Sequence, residues 1–228
     1  MTPLKTRPCS LFLFDLDGTL IDSKADICAT LNLVLARMNM PQLPESLVAD
    51  FVGEGMQILI ERSLRTANNR DAESNQVQEA MALFQEEYEV HLLDRTRLLP
   101  HVMEGLDRLP WARFAVVSNK PERYSRRILE ALGVGRRFCI ILGGDSTQKR
   151  KPDPEALYMA MNACKVAASE TAMVGDSPVD IQAGKSAGVT TCGVMGGFRP
   201  KEELEAAGCD LIIRNLLELA DHFHQPRV

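Results

Sequence analysis

Apolar positions in this chain follow two different periods. Residues 10–14 contain four apolar side chains, two of them aromatic, and run directly into Asp15, as a strand buried on both faces would. From residue 25 to 40 the apolar residues Ile27, Leu31, Val34, Leu35 and Met38 recur at helical spacing, until Pro41 ends the pattern. A short apolar piece at 47–51 leads into Val52-Gly53-Glu54-Gly55. Helices are predicted over 56–64 and, after the polar turn at 68–71, over about 72–93. Nothing between Ser23 and Asp94 reads as a strand. Beyond Leu98 the pattern alternates. Strands are predicted at 114–117, 138–142, 172–175, 190–194 and 211–213. Helices fall at 101–109, 122–132, 154–164, 181–187, 201–207 and 216–223.

Strands alternating with helices imply an α/β fold whose mostly parallel sheet is covered on both faces. The all-helical stretch reads as an insertion, and 228 residues accommodate one large domain carrying one. Ligands of such sheets gather at the carboxyl ends of the strands.

Charge narrows the partners. Net charge is −5, which speaks against nucleic acid or an anionic membrane surface as the main partner. Six cysteines are scattered without a C-x-x-C pair, so neither a disulfide framework nor a zinc site is expected; Cys139 and Cys192, inside apolar runs, read as buried thiols. Residues 1–8 do not resemble a signal peptide, and no apolar segment reaches the roughly 18 residues of a membrane span. A reduced, cytoplasmic protein is expected.

Candidate chemistry sits where strands end. Asp15 and Asp17 follow the first strand and are followed by Gly18. Residues two apart on a strand share a side, so the two carboxylates are expected to face a common ligand; a solvated Asp-Gly turn is the plainer alternative. Ser118 and Asn119 follow the second core strand and offer a hydroxyl and an amide to phosphate oxygens, or simply cap a turn. Lys151 lies in a basic run after the third, where solvation is the ordinary fate. In Gly175-Asp176-Ser177-Pro178-Val179-Asp180, Pro178 suits the first helical position with Ser177 as its cap. Capping explains one of the acids Asp176 and Asp180 better than both. Three or four carboxylates converging there require a hard cation, and oxygen ligands beside a phosphate favour Mg²⁺.

Asp15-Leu16-Asp17-Gly18-Thr19-Leu20, Ser118, Lys151 and Gly175-Asp176-Ser177-Pro178-Val179-Asp180 resemble, in order and spacing, the four motifs of the haloacid dehalogenase-like hydrolase superfamily. The resemblance implies a Rossmann-like core at 1–21 and 96–228 with an inserted helical cap domain at 22–95. It implies a Mg²⁺-dependent phosphomonoester hydrolase in which Asp15 is the nucleophile and forms an aspartyl-phosphate. Asp17 would be the acid and base, and Ser118 and Lys151 would hold the phosphoryl oxygens. Asp15, the Asp17 backbone carbonyl and Asp176 would bind the metal, with Asp180 near it or joined through water. Gly53, Glu54, Gly55 and Arg62 become candidate substrate contacts from the cap, although an exposed, ion-paired Arg62 is equally expected of a helix.

Within the superfamily, Phe51-Val52-Gly53-Glu54-Gly55 with Ile60-Glu61-Arg62 is most similar to the phosphoglycolate phosphatases. The implied partner is a small phosphorylated metabolite, and the chain would be a monomer or homodimer. Two departures stand out. Glu54 places an acid where a doubly anionic substrate prefers none, and His101 occupies a helix-start position where relatives often carry Gly. A sugar or amino-sugar phosphatase and a phosphomutase of the same fold are the alternatives. A receiver-like signalling domain is opposed by the second acid, Asp17, and by the helical insertion.

Overall fold

The computed structural model describes residues 7–226, so most of the polar segment 1–8 lies outside the described residues. Its centre is a six-stranded parallel sheet: β1 Leu11–Phe14, β2 Arg113–Val117, β3 Ile140–Leu142, β4 Thr171–Gly175, β5 Thr190–Val194 and β6 Leu211–Ile213. The strand order is β3-β2-β1-β4-β5-β6. The chain leaves β1 to build one half of the sheet and returns to β4 for the other. The crevice at the carboxyl end of β1 is therefore the topological switch point, where doubly wound sheets bind ligands.

All four β1 residues are buried, which explains the unbroken apolar run. Alternation divides them between the two faces. Phe12 and Phe14 join a cluster with Phe114, Val116, Ile128 and Leu129, while Leu11 and Leu13 pack with Ala115, Val117, Leu157 and Met173. Phe12 meets Phe223 edge-on at 5.1 Å between ring centroids. The second face is closed by α7 Glu155–Cys164 and α8 Pro178–Ala187, the first by α5 Val102–Asp107, α6 Glu122–Ala131 and α10 Leu219–His222. α9 Lys201–Ala206 lies between the last two strands in sequence.

The insertion is wholly helical: α1 Lys24–Arg37, α2 Glu45–Ala49, α3 Met56–Asn68 and α4 Ser74–His91. Its apolar stripes join the larger core cluster, through Ile27, Leu31 and Leu35 of α1 and Phe84 and Tyr88 of α4. Two short antiparallel strands, Ile21–Asp22 and Arg97–Leu98, tie its ends together. Beside them the buried Asp26 carboxylate accepts from the N–H groups of Arg95 and Thr96 and from the Thr96 hydroxyl, at 2.7–3.0 Å. Buried and satisfied, it closes the base of the insertion.

Several expected boundaries shift for local reasons. β3 starts at Ile140, because Gly135–Arg137 forms a 3₁₀ turn first; Cys139 is therefore exposed rather than buried, whereas Cys192 is buried as expected. α8 begins at Pro178 rather than 181, since Ser177 caps it and Pro178 fits its first position. The helix expected over 216–223 divides into a 3₁₀ turn, the short α10, and a two-residue strand Phe223–His224 parallel to Arg7–Pro8. His101 holds φ +66°, the left-handed conformation that favours Gly at that helix start. Among the described residues the cysteines are free, and no helix is long and apolar enough to cross a membrane.

Candidate active site

β1 ends at Phe14, so the pleat no longer governs where Asp15 and Asp17 point. Asp15 N–H still donates to Val174 O of β4 at 2.9 Å, fixing the first acid to the sheet. The chain then turns tightly, with the N–H groups of Leu20 and Ile21 bonded to Leu16 O. Gly18 is required here: its φ is +84°, and a Cβ would lie 2.2 Å from Asp176 Oδ2. The turn gives the two carboxylates different charged neighbours, although both line one cavity. Asp15 joins Asp176 and Asp180, whose ligand atoms all lie within 4.8 Å of one another, while the Asp17 carboxylate is not part of that cluster.

Lys151 enters the acidic side, buried rather than solvated. Its Nζ lies 2.8 Å from Asp15 Oδ1 and 2.6 Å from Asp180 Oδ1. Asp180 serves two purposes, because its other oxygen accepts from the N–H and hydroxyl of Ser177 in a capping box. Asp176 accepts from Thr19 Oγ1 at 3.2 Å and from Phe198 N–H at 2.6 Å, without a cationic partner.

Burial pushes Asp176 up to about 8, and the negative charges of Asp15 and Asp180 add to it. Asp15 is raised to about 6 by burial, with Lys151 opposing the shift and Asp180 reinforcing it. Burial works against the Lys151 ammonium, but Asp15 and Asp180 outweigh it and hold it above the ordinary lysine value.

Asp17 belongs to a second pair. Lys120 Nζ donates to its two oxygens at 2.8 and 3.1 Å, and Ser23 Oγ donates at 2.5 Å. Burial opposes the Lys120 charge, and Asp17 more than restores it. When all four acids at this sheet edge are ionised they face two ammonium groups, which leaves two negative charges over on the Asp15 side and explains why Asp176 and Asp15 hold their protons more tightly. Buried, oxygen-only and short of two positive charges, Asp15, Asp176 and Asp180 fit a hard divalent cation.

A cavity of about 50 Å³ lies between this edge and the helical insertion, lined by Asp15, Asp17, Ser118, Asn119 and Lys120 below and by Gly53, Gly55, Tyr88 and apolar side chains above. Ser118 Oγ accepts from Lys120 N–H at 3.3 Å. Asn119 is occupied: its amide nitrogen donates to Gly53 O at 2.9 Å and Lys151 O at 3.0 Å, and its oxygen accepts from Lys151 N–H. The expected phosphate contact from the Asn119 amide is replaced by a brace between the Lys151 loop and the insertion. Glu54 and Arg62 form an ion pair with each other at 2.6 Å and do not line the cavity; Arg62 lies on an outer groove between α3 and α4.

Two further residues of the site, Lys120 and Tyr88, escape the sequence pattern. Lys120 follows Ser118-Asn119 directly and precedes Pro121 and α6, so its position at the strand end is a usable signal. Tyr88 lies within the helical period of α4 and gives no separate signal.

A family model described as haloacid dehalogenase-like hydrolase matches residues 12–194. The chain belongs to that family. It is 36% identical over 216 residues to a phosphoglycolate phosphatase of Pseudomonas putida, covering 92% of this chain and 78% of that protein. It is 36% identical over 215 residues to a phosphoglycolate phosphatase of Vibrio parahaemolyticus, covering 92% and 94%. A crystal structure from Haemophilus somnus, described as a predicted phosphoglycolate phosphatase, superposes with a TM-score of 0.87 at 30% identity, covering 92% of this chain and 96% of the other. The chain is an enzyme of the phosphatase type within this family, with the α/β core and inserted helical cap of the fold.

Proposed function

We propose that the chain hydrolyses a small phosphomonoester of the phosphoglycolate kind with Mg²⁺, through an aspartyl-phosphate on Asp15. The observation that carries this is the divergence of the two acids: Asp15 turns into the charge-deficient cluster, and Asp17 turns out of it toward Lys120. Within the cluster a cation keeps Asp15 ionised to attack, while Asp17, outside it, exchanges a proton with the ester oxygen by giving up its contact with Lys120. Asp15, Asp176 and Asp180, with the Asp17 backbone carbonyl, would hold the Mg²⁺, which supplies positive charge against the phosphoryl oxygens.

Asp15 Oδ bonds to phosphorus as the bond from phosphorus to the ester oxygen breaks, and Asp17 gives that oxygen a proton. Asp17 then takes a proton from water, whose oxygen attacks phosphorus; the Asp15 bond breaks and inorganic phosphate leaves. Lys151 and Ser118 bind the phosphoryl oxygens and offset their charge. Residues 22–95 act as the cap, contributing Gly53 and Gly55 to the wall of the cavity and keeping bulk water out. The ion pair of Glu54 with Arg62 removes the objection that an unpaired acid would repel a dianionic substrate.

Shape and lining support a small substrate. The cavity is narrow and its upper wall is formed by the apolar side chains Ile27, Val52, Met56, Leu59 and Phe84, which offer no partners to the hydroxyl groups of a sugar. Such a metabolite is soluble, and we assign the enzyme to the cytoplasm. The test is phosphate release from phosphoglycolate, glycerol phosphate, hexose phosphates and a nucleotide, with Mg²⁺ and with chelator. Mg²⁺-dependent release with the highest kcat/KM on phosphoglycolate is expected. Activity that survives chelation, or faster turnover of every other ester, would contradict the reading.

A further inference from the structure

The cavity beside Asp17 contains two polar groups for which phosphoryl transfer has no use. Lys120 is the one cationic side chain lining it among the described residues. Its Nζ contacts both Asp17 oxygens and stands 5.0 Å from the centroid of the Tyr88 ring. An ammonium has three N–H donors, so one remains after those two contacts. The Tyr88 hydroxyl, on a residue 2% exposed, has no hydrogen-bond partner among the described residues. Burial pushes the phenol up to about 12, so it keeps its proton at neutral pH and can donate. The rest of the upper wall, Ile27, Val52, Met56, Leu59 and Phe84, is apolar. Asp17 already neutralises the ammonium, so what this wall offers an incoming carboxylate is two donors side by side, the third N–H of Lys120 and the Tyr88 hydroxyl.

We propose that Lys120 and Tyr88 form a carboxylate subsite, which selects phosphate esters whose leaving group bears a carboxylate one carbon from the ester oxygen. This rests on the hydrolase reading above, in which Asp17 acts at the ester oxygen. A cation 2.8 Å from Asp17 then faces the neighbouring atoms of the leaving group, where a glycolate carries its charge. The phosphoryl oxygens of the ester are met on the other side, by Lys151 and Ser118. The subsite therefore discriminates between leaving groups and leaves recognition of the phosphoryl group alone.

The experiment compares kcat/KM for 2-phosphoglycolate and ethyl phosphate, which share a two-carbon chain and differ by the carboxylate, in wild type, Tyr88→Phe, Lys120→Met and Lys120→Arg. Wild type is expected to favour 2-phosphoglycolate. Tyr88→Phe should lower that preference about tenfold and Lys120→Met about a hundredfold, with Lys120→Arg restoring part of it. Taking the ratio cancels any loss that Lys120→Met causes through Asp17. Should Lys120→Met fail to fold, Tyr88→Phe, which removes only the hydroxyl, decides the matter. Equal wild-type rates on both esters, or a preference unmoved by Tyr88→Phe, would overturn the subsite while leaving the phosphatase reading intact. Release from neither ester would overturn both.

Discussion

Two buried lysines flank the loop after β1, and their surroundings differ in a way that divides the labour of the site. Lys151 lies among Asp15, Asp180 and, beyond them, Asp176: more carboxylates than one ammonium can neutralise. Lys120 faces Asp17 alone among carboxylates, in a cavity whose upper wall is apolar except for the Tyr88 hydroxyl. Isolated buried charges are prohibitively costly, and each pair meets that constraint differently. The first leaves a deficit that a divalent cation would correct. The second is balanced, and opens onto the cavity beneath the helical insertion. A single turn centred on Gly18 separates the two, so a two-residue spacing yields two chemical environments.

The same Asp→Asn change on the two sides of the turn should have different consequences. Asp15→Asn should reduce phosphate release by about 10³-fold or more, because the amide cannot form the covalent intermediate. Asp17→Asn should also abolish turnover yet leave Mg²⁺ affinity largely intact, since its side chain stands outside the metal cluster. Asp176→Asn should weaken Mg²⁺ binding itself. Calorimetric titration of both variants with Mg²⁺ checks this, and loss of binding in Asp17→Asn would erase the distinction. Lys151→Met is next, costing about 10²–10³-fold in kcat and lowering the melting temperature, because two buried carboxylates lose their partner.

A pH series probes the charge deficit directly. Asp176 titrates near 8 and Asp15 near 6 in the folded protein, against about 3.8 for an unperturbed aspartate. Between the unfolded and folded values the native state binds more protons than the unfolded chain, so metal-free stability falls as pH rises through about 4 to 8. Melting temperatures across that range should show the decline without Mg²⁺, a flatter profile with it, and a flatter profile in Asp176→Asn. The smallest effect is expected at the surface: Arg62→Ala should change kcat/KM by less than about twofold, as exposed ion pairs contribute about 0–1 kcal/mol.

Much of this site is legible in the amino-acid sequence, and the reason lies in the sheet. An apolar run that stops at an acid locates that acid at a strand end, and a parallel sheet brings all such ends to one edge. Asp15 and Asp176 follow from that rule and Ser118 from its place directly after β2, whereas Lys151, nine residues past the end of β3, is legible only through the spacing of the four motifs. What the rule does not contain is the direction of a side chain once the strand has ended. Pleat geometry puts Asp17 beside Asp15 only if it is carried past Phe14, where the pleat stops. A strand-end position suggests that Asn119 faces phosphate, but its amide has both partners in the backbone of Lys151 and Gly53. Arg62 and Glu54, eight residues apart, close on each other across the first turns of α3. Lys120 hides in plain view, since a lysine beside a proline ordinarily marks a solvated turn.

Asp15, and no other acid of the cluster, is expected to carry the phosphoryl group. Wild type and Asp17→Asn can be mixed with excess 2-phosphoglycolate and Mg²⁺, quenched in acid within the first turnover, digested and weighed by mass spectrometry. Asp17→Asn tests whether any intermediate formed accumulates when its breakdown is slowed. A phosphate adduct on Asp15 alone, absent from Asp15→Asn and in chelator, is the predicted result. An adduct on Asp176 or Asp180, or steady phosphate release by wild type with no adduct on Asp15 in either protein, would contradict it.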